Sequence, residues 1–281
     1  MLKRKFPDVQ APMILKLLPR DSCAVRAASI LPSLSRAIEE LVLNSLDAGS
    51  SNIEIKVDMT TFSFEVRDDG ERETITAEPH PIYISLIFFM IFPCYETTGA
   101  GICPTDLRDK TGEWNVTSKY ESGISHGFKG EALAATRVLS SMTVTSKISE
   151  CSLTYVKSFN HHDHYELDKC TFELSRSHIV DSGTRVAVWQ LFKRLPARKM
   201  SMRPNSELIK IKEIVQRLSI IYHDVGWILV DDSIGRVIMN LKPQESVSAR
   251  FSAFHGQHMQ SRMKVVMKIS FCFEDICVRA L

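Results

Sequence analysis

The spacing of the apolar residues changes within one short stretch, and this change restricts the possible folds more than any other feature. From Pro32 to Asp47 the apolar positions recur every three or four residues, which predicts an amphipathic helix. From Ser51 to Val66 they alternate with polar residues in two short runs, which predicts two strands. Gly49, between the two patterns, is a natural residue to end the helix. A helix followed directly by a hairpin favours an α+β protein with a mixed sheet and helices on one face.

The rest of the chain continues this alternation of helices and strands. The apolar spacing predicts helices at Pro104–Arg108, Glu131–Leu139 and Leu208–Ile221, and strands at 141–148, 152–159, Thr184–Trp189, Trp227–Val230 and Arg236–Leu241. The basic, proline-containing stretch Arg194–Ser206 is the candidate domain boundary.

Composition excludes several classes of protein. The 35 basic and 33 acidic side chains leave a net charge of only +2, so any basic surface must be local. The seven cysteines contain no CxxC pair, which favours a reduced, intracellular protein. The strongest apolar block, Ile82–Phe92, is shorter than the roughly twenty residues that a membrane helix needs. We therefore expect no membrane role.

Three polar residues interrupt the apolar pattern of the first helix. Glu40, Asn44 and Asp47 are four and seven residues apart, so they share one helix face. A carboxylate can take a proton from water, and an amide oxygen is a suitable ligand for Mg²⁺. The alternative is a helix face that simply contacts solvent.

Two further motifs end or begin elements. The sequence VRDDG places Asp68 at the end of a strand, where it could accept a hydrogen bond from a ligand's amino group, although Asp-Gly is also an ordinary turn. Residues 127–133, GFKGEAL, place glycines before a helix, where backbone N–H groups can hold an anion. This is not a Walker A loop, and a plain glycine turn is the alternative. Thr184, which opens a strand, would by itself be structural.

Together and in this order, these motifs resemble the GHKL ATPases, and among them the MutL family. EELVLNSLDAG and GFKGEAL are similar to the MutL forms of these motifs, as are TSK at 117–119 and LFKRLPARK at 191–199. The resemblance covers about residues 13–263, and its wording is most like the eukaryotic MLH-three branch. TSK and LFKRLPARK argue against another GHKL member such as a chaperone or kinase.

The resemblance implies a fold in two parts. Residues 11–203 would form the GHKL (Bergerat) two-layer α/β sandwich with a mixed sheet. Residues 204–281 would form part of a transducer domain, an α+β unit similar to the second domain of ribosomal protein S5.

The resemblance also implies a role for each motif. Glu40 corresponds to the general base, Asn44 to the Mg²⁺ ligand and Asp68 to the residue that binds the adenine amino group, with Thr184 supporting it. Lys119 lies in the lid region, and residues 127–133 correspond to the phosphate cradle. The nucleotide-binding set comprises Asn44, Asp47, Asp68, Gly101, Thr117, Ser118, Lys119, Gly127, Phe128, Lys129, Gly130, Glu131, Ala132, Leu133 and Thr184.

The implied cofactors are ATP and Mg²⁺, and the implied activity is ATP hydrolysis coupled to lid closure and dimerisation. The setting would be DNA mismatch repair or meiotic recombination in the nucleus. The partners would be another MutL homologue, MutS-type proteins and DNA. A run of basic residues is a candidate contact to the DNA backbone, with a solvated basic loop as the alternative: Lys193, Arg194, Arg198, Lys199 and Arg203.

The sequence departs from the family pattern at two places. Residues 71–99 separate VRDDG from AGICPTDL, although joining these halves would restore a conventional motif. The intervening segment is interpreted as translated intron sequence, with a genuine loop insertion as the alternative. A second-domain lysine and the C-terminal dimerisation and endonuclease region of the family would lie beyond this chain. An alternative function is therefore a non-catalytic, truncated MutL-like interaction module.

Overall fold

The computed structural model describes residues 19–70, 101–116, 130–149, 151–159, 170–176 and 182–256, and two short strands at 270–272 and 277–279. The helices are α1 (Pro19–Ile30), α2 (Leu34–Asp47), α3 (Pro104–Asp109), α4 (Ala132–Leu139), α5 (Pro196–Ser201), α6 (Pro204–Ile221) and α7 (Val247–His255). The strands are β1 (Asn52–Asp58), β2 (Ser63–Asp68), β3 (Ser141–Lys147), β4 (Tyr155–Phe159), β5 (Cys170–Leu174), β6 (Gly183–Trp189), β7 (Gly226–Asp231), β8 (Arg236–Leu241), β9 (Ser270–Cys272) and β10 (Cys277–Arg279).

Eight strands form one mixed sheet in the order β5-β4-β3-β6-β2-β1-β7-β8. The predicted hairpin is confirmed, because β1 and β2 pair in antiparallel register with Ile55 opposite Val66. The pairing of β1 with β7 is parallel, whereas the other pairs in this sheet are antiparallel. The predicted α+β class is therefore confirmed.

Helix α2 covers the sheet with the apolar face that its sequence predicts. Ser33 caps the helix, because its Oγ accepts a hydrogen bond of 3.1 Å from the Arg36 amide. Gly49 follows the helix with a φ of 74°, a left-handed conformation that favours glycine. The apolar residues of α2 join the alternate buried residues of the hairpin in one core: Ala37, Ile38, Leu41, Val42, Ile53, Ile55, Val57, Phe64 and Val66.

The predicted division at residue 203/204 stays a prediction, and elements on both sides of it share one sheet and one core. Helix α6 packs against α2, and β7 extends the same sheet by pairing with β1. The physical reason is burial: Trp227 and Leu229 of β7 belong to the same apolar core as the N-terminal helices. A partial transducer domain in the later residues stays a prediction.

Several elements were not predicted from the apolar spacing. Helices α1, α5 and α7 and strand β5 were absent from the expected pattern, and α6 begins at Pro204 instead of Leu208. Among the residues described, no helix combines the length and apolarity needed to cross a membrane.

Candidate nucleotide site

Asp68 ends strand β2 and is buried, with 9% of its surface exposed. The Ser45 hydroxyl of α2 donates to its Oδ2 at 2.7 Å. The Thr184 amide of β6 donates to its Oδ1 at 3.1 Å. Helix α2 and strands β2 and β6 therefore meet at one carboxylate.

The environment of Asp68 changes its acidity. Burial raises the pKa of Asp68 from its ordinary value of 3.8 to about 6, and the nearby charge of Asp69 acts in the same direction. The hydrogen bonds from Ser45 and Thr184 oppose this increase in pKa without cancelling it. Each carboxylate oxygen has one donor here and can accept a second, so the group can still bind the amino group of a ligand.

Asp69, the next residue of the DDG turn, serves the fold instead. Its Oδ1 accepts hydrogen bonds from the amides of Ser51 and Asn52 at 2.8 and 3.0 Å. Its Oδ2 accepts a hydrogen bond from the Asn52 side chain at 2.7 Å. These bonds fasten the end of β2 to the start of β1, so the two adjacent acids have different roles.

The two halves of the interrupted motif reach the same part of the sheet. Gly183 has a φ of +129°, and a Cβ there would lie 2.2 Å from the Asp68 carbonyl oxygen. Gly101 has a φ of +77°, and a Cβ there would lie 2.3 Å from the Lys147 carbonyl oxygen. Because β3 and β6 pair with Lys147 opposite Gly183, the chain before residue 71 and the chain from residue 101 meet at the ends of neighbouring strands.

A buried serine connects these halves. The Ile102 amide donates to the Ser146 Oγ at 2.7 Å, and this oxygen lies 3.0 Å from the Thr184 Oγ1. Thr184 in turn binds Asp68 through its amide. Ile102 is therefore connected to Asp68 through the hydrogen bonds of Ser146 and Thr184, and none of these bonds involves residues 71–100.

The polar face of α2 lies beside this carboxylate, because Ser45 belongs to the same helix. Glu40, Asn44 and Asp47 are each partly exposed. The Arg36 guanidinium forms an ion pair with Glu40 one turn away and a second ion pair, of 2.7 Å, with Glu39. Glu39 also pairs with Arg217 of α6. The carboxylate of Glu40 is therefore held in a charge network, not simply directed to solvent.

The described part of the GFKGEAL motif forms a turn before α4. Gly130 has a φ of +60°, and a Cβ there would lie 2.2 Å from the Val116 carbonyl oxygen. Glu131 precedes the helix and pairs with Arg26 of α1 at 3.3 Å. Ala132 and Leu133 then open α4. The other predicted residues of the lid and cradle lie outside the described residues: Thr117, Ser118, Lys119, Gly127, Phe128 and Lys129.

The basic run lies on and beside helix α5, away from Asp68 in sequence. Arg198 is partly committed to the fold, because it donates to the Pro32 carbonyl oxygen at 3.1 Å and lies 5.9 Å from the Phe192 ring centre. Lys193 and Arg203 are exposed, and Arg194 and Lys199 are partly exposed. Arg198 and Arg203 line an open cleft of about 240 Å³ together with Lys210 of α6.

The metal requirement can be tested against the side chains. The described residues contain no group of three or more His, Cys, Asp or Glu residues that could enclose a metal ion. Mg²⁺ usually keeps several waters and takes few protein ligands when it binds with a nucleotide. A single amide such as Asn44 on α2, shared with nucleotide phosphates, fits that requirement.

Sequence reasoning missed Ser45, Asp69 and Ser146. Ser45 stands inside NSLDAG, but its role depends on a contact with the second strand. Ser146 lies in a strand far along the chain from Ile102, and nothing local in SMTVTSK marks it as a partner of that amide.

The sheet order, the covering helices and the carboxylate at a strand end define an α+β fold of the GHKL type. No family model matches the chain. The solved MutL ATPase domain of Aquifex aeolicus in complex with ADP superposes with a TM-score of 0.53 at 20% identity, covering 78% of this chain and 67% of that one. At this identity the similarity supports the fold alone.

Comparison with curated proteins points to one family. The chain is 27% identical over 258 residues to the DNA mismatch repair protein Mlh3 of Homo sapiens, and the matched region covers 89% of this chain and 15% of that protein. It is 27% identical over 220 residues to the DNA mismatch repair protein MutL of Pseudomonas aeruginosa, and this matched region covers 78% of the chain and 30% of the MutL protein. The predicted resemblance to the MutL family, including its MLH3 branch, is thus confirmed. The chain spans less than a third of either relative's length.

Proposed function

We propose that this chain is an ATP-binding and ATP-hydrolysing module of a MutL-type protein that acts in DNA mismatch repair or meiotic recombination. The observation that carries the proposal is the buried carboxylate of Asp68. It is held by donors from α2 and β6 and keeps the capacity to accept a hydrogen bond from an adenine amino group.

The residues of the site would divide the chemistry as follows. Asp68 would bind the adenine amino group with Thr184 beside it, and the turn at Gly130 would contribute to the phosphate cradle. Asn44 would hold Mg²⁺, which when bound would neutralise phosphate charge. Glu40 would take the proton of the attacking water, and its ion pair with Arg36 would orient its carboxylate.

The wider role follows from the family resemblance. Nucleotide binding would close a lid and favour dimerisation with another MutL homologue, in the nucleus and together with MutS-type proteins. The exposed basic residues around α5 would contact the DNA backbone, independently of base sequence and in a salt-dependent way.

Calorimetric titration with a non-hydrolysable ATP analogue, together with measurement of phosphate release, tests the proposal. The variants are Glu40→Ala, Asp68→Asn and, as a control, Glu54→Ala on the solvent side of β1. We expect Asp68→Asn to abolish binding and Glu40→Ala to keep binding while losing turnover. Glu54→Ala should behave as the wild type.

A second candidate is a non-catalytic interaction module. The interruption between Gly70 and Gly101 favours it. The two candidates differ in one result. If the analogue binds but the wild type and Glu40→Ala release phosphate at the same background rate, the enzyme is refuted and the binding module is supported. If the analogue does not bind, a nucleotide site in this chain is refuted.

A further inference from the structure

The Ser146 side chain contacts groups outside its own strand, in addition to the backbone pairing of β3 with its neighbours. It is buried, with 1% of its surface exposed, near the end of β3. Its Oγ accepts a hydrogen bond from the Ile102 amide at 2.7 Å and donates to the Gly183 carbonyl oxygen at 3.2 Å. It also lies 3.0 Å from the Thr184 Oγ1. One side chain thus contacts both the segment that resumes at residue 101 and the strand that holds Asp68.

From this arrangement we infer that Ser146 is a positioning residue for the base end of the site. It holds Gly101 and Ile102 against Thr184 and determines which hydrogen-bonding groups the Thr184 hydroxyl offers to a ligand. The inference rests on the proposed function where it concerns nucleotide, whereas the anchoring of Ile102 can be measured without nucleotide.

The direction of the bond between the two hydroxyls follows from where the Ser146 proton is assigned. A serine hydroxyl has one proton and two acceptor positions. Either hydroxyl could be the donor at the contact between Ser146 and Thr184. We assign the Ser146 proton to the Gly183 carbonyl oxygen, which can only accept, and one acceptor position of Ser146 is used by the Ile102 amide. At the contact with Thr184 the proton therefore comes from Thr184, and the Thr184 oxygen keeps only acceptor capacity toward the ligand.

This direction has a consequence for base selection. A Thr184 oxygen and an Asp68 carboxylate that both accept hydrogen bonds favour a base edge that presents an amino group, such as that of adenine. They disfavour a base edge with a carbonyl oxygen, such as that of guanine, because this oxygen would face two other acceptors and no donor. Without Ser146, the Thr184 proton could turn toward the ligand, and the preference would weaken.

The experiment compares Ser146→Ala and Ser146→Thr with the wild type in the full chain. Ser140→Ala is the matched control, because Ser140 is also buried and its hydroxyl donates to the Thr136 carbonyl oxygen at 2.6 Å, without contact to Ile102. Amide exchange at Ile102 is measured by NMR without nucleotide. Fluorescence titrations with non-hydrolysable ATP and GTP analogues give the affinity for each base.

We expect Ser146→Ala to increase Ile102 exchange about tenfold and to reduce the preference for ATP over GTP by a similar factor, in line with loss of a buried hydrogen bond. Ser146→Thr, which keeps the hydroxyl, should retain the wild-type Ile102 exchange rate and the wild-type preference for ATP. Ser140→Ala should change neither of these two quantities. A general loss of packing would instead weaken both analogues equally.

Several results would overturn the inference. It fails if the Ile102 amide of the wild type exchanges at the unprotected rate, a result that requires no variant to fold. It also fails if Ser146→Ala and Ser140→Ala change exchange and base preference equally. If the wild type binds neither analogue, the proposed function fails, while the Ile102 exchange rates still decide whether Ser146 anchors that segment.

Discussion

Replacement of Asp68 by asparagine should stabilise the protein at neutral pH while removing its affinity for adenine nucleotide. The carboxylate is buried, and its pKa is raised from 3.8 to about 6. Because the folded protein holds this proton more tightly than the unfolded chain, the group stabilises the fold at low pH. That contribution is lost as the pH rises from about 4 to about 6.

The size of the effect follows from the pKa difference. One pKa unit corresponds to about 1.4 kcal/mol, so the ionised carboxylate lowers the free energy of unfolding by about 3 kcal/mol above pH 6. Part of this loss has already occurred at pH 5, so we expect the advantage of Asp68→Asn to grow by about 1 kcal/mol between pH 5 and pH 7. The amide keeps an oxygen for the Thr184 N–H, and its nitrogen can donate to the Ser45 hydroxyl.

Urea denaturation of the wild type and Asp68→Asn at pH 5, 6, 7 and 8 measures this difference. Asp58→Asn is a control of opposite sign, because hydrogen bonds from Thr60 and Thr61 outweigh burial and lower the pKa of Asp58. That variant should lose stability at neutral pH. Parallel pH profiles for the wild type and Asp68→Asn would refute the electrostatic argument, whatever the absolute difference between the two proteins.

Three further changes test other parts of the structure. Glu207→Ala leaves the buried Ser35 amide without its acceptor and should lower the free energy of unfolding by about 1–3 kcal/mol, whereas Glu213→Ala on the exposed side of the same helix should not; equal urea midpoints would contradict this. Gly183→Ala places a Cβ 2.2 Å from the Asp68 carbonyl oxygen and should lower the free energy of unfolding by about 2 kcal/mol or more in the same assay. An unchanged free energy of unfolding would show that the strand accommodates the methyl group. Deletion of residues 71–99 should leave a cooperatively unfolding protein, since the strand ends on either side have their own partners; loss of the cooperative transition would show that this segment is needed for folding.

The elements that could be predicted from the sequence are those whose apolar spacing is regular. Helix α2 and the hairpin β1–β2 follow from their patterns, because one face of each is buried in the core. Helix α1 has a sequence of small and polar residues, PRDSCAVRAASI, in which no apolar period is clear. Strand β5 lies at the edge of the sheet and is mostly exposed, so burial imposes little pattern on it.

The candidate site shows the same division between local and distant information. Asp68 could be proposed from its place at a strand end, and Gly49 from its place after a helix. The partners of Asp68 are set by strand register, which places Thr184 directly opposite it. Ser146 and Thr184 meet only because β3 lies beside β6 in the sheet, and no local pattern encodes that order.

The parallel pairing of β1 with β7 has a consequence for how the chain reaches its native state. Strand β1 lies early in the chain, but the residues of its second neighbour are not available until the ribosome has translated residue 231. Until then β1 is an edge with unpaired backbone groups and apolar side chains, a template for pairing with other chains. A fragment that stopped near residue 203 would keep this edge permanently, so we expect it to aggregate where a fragment extended through β8 stays monomeric.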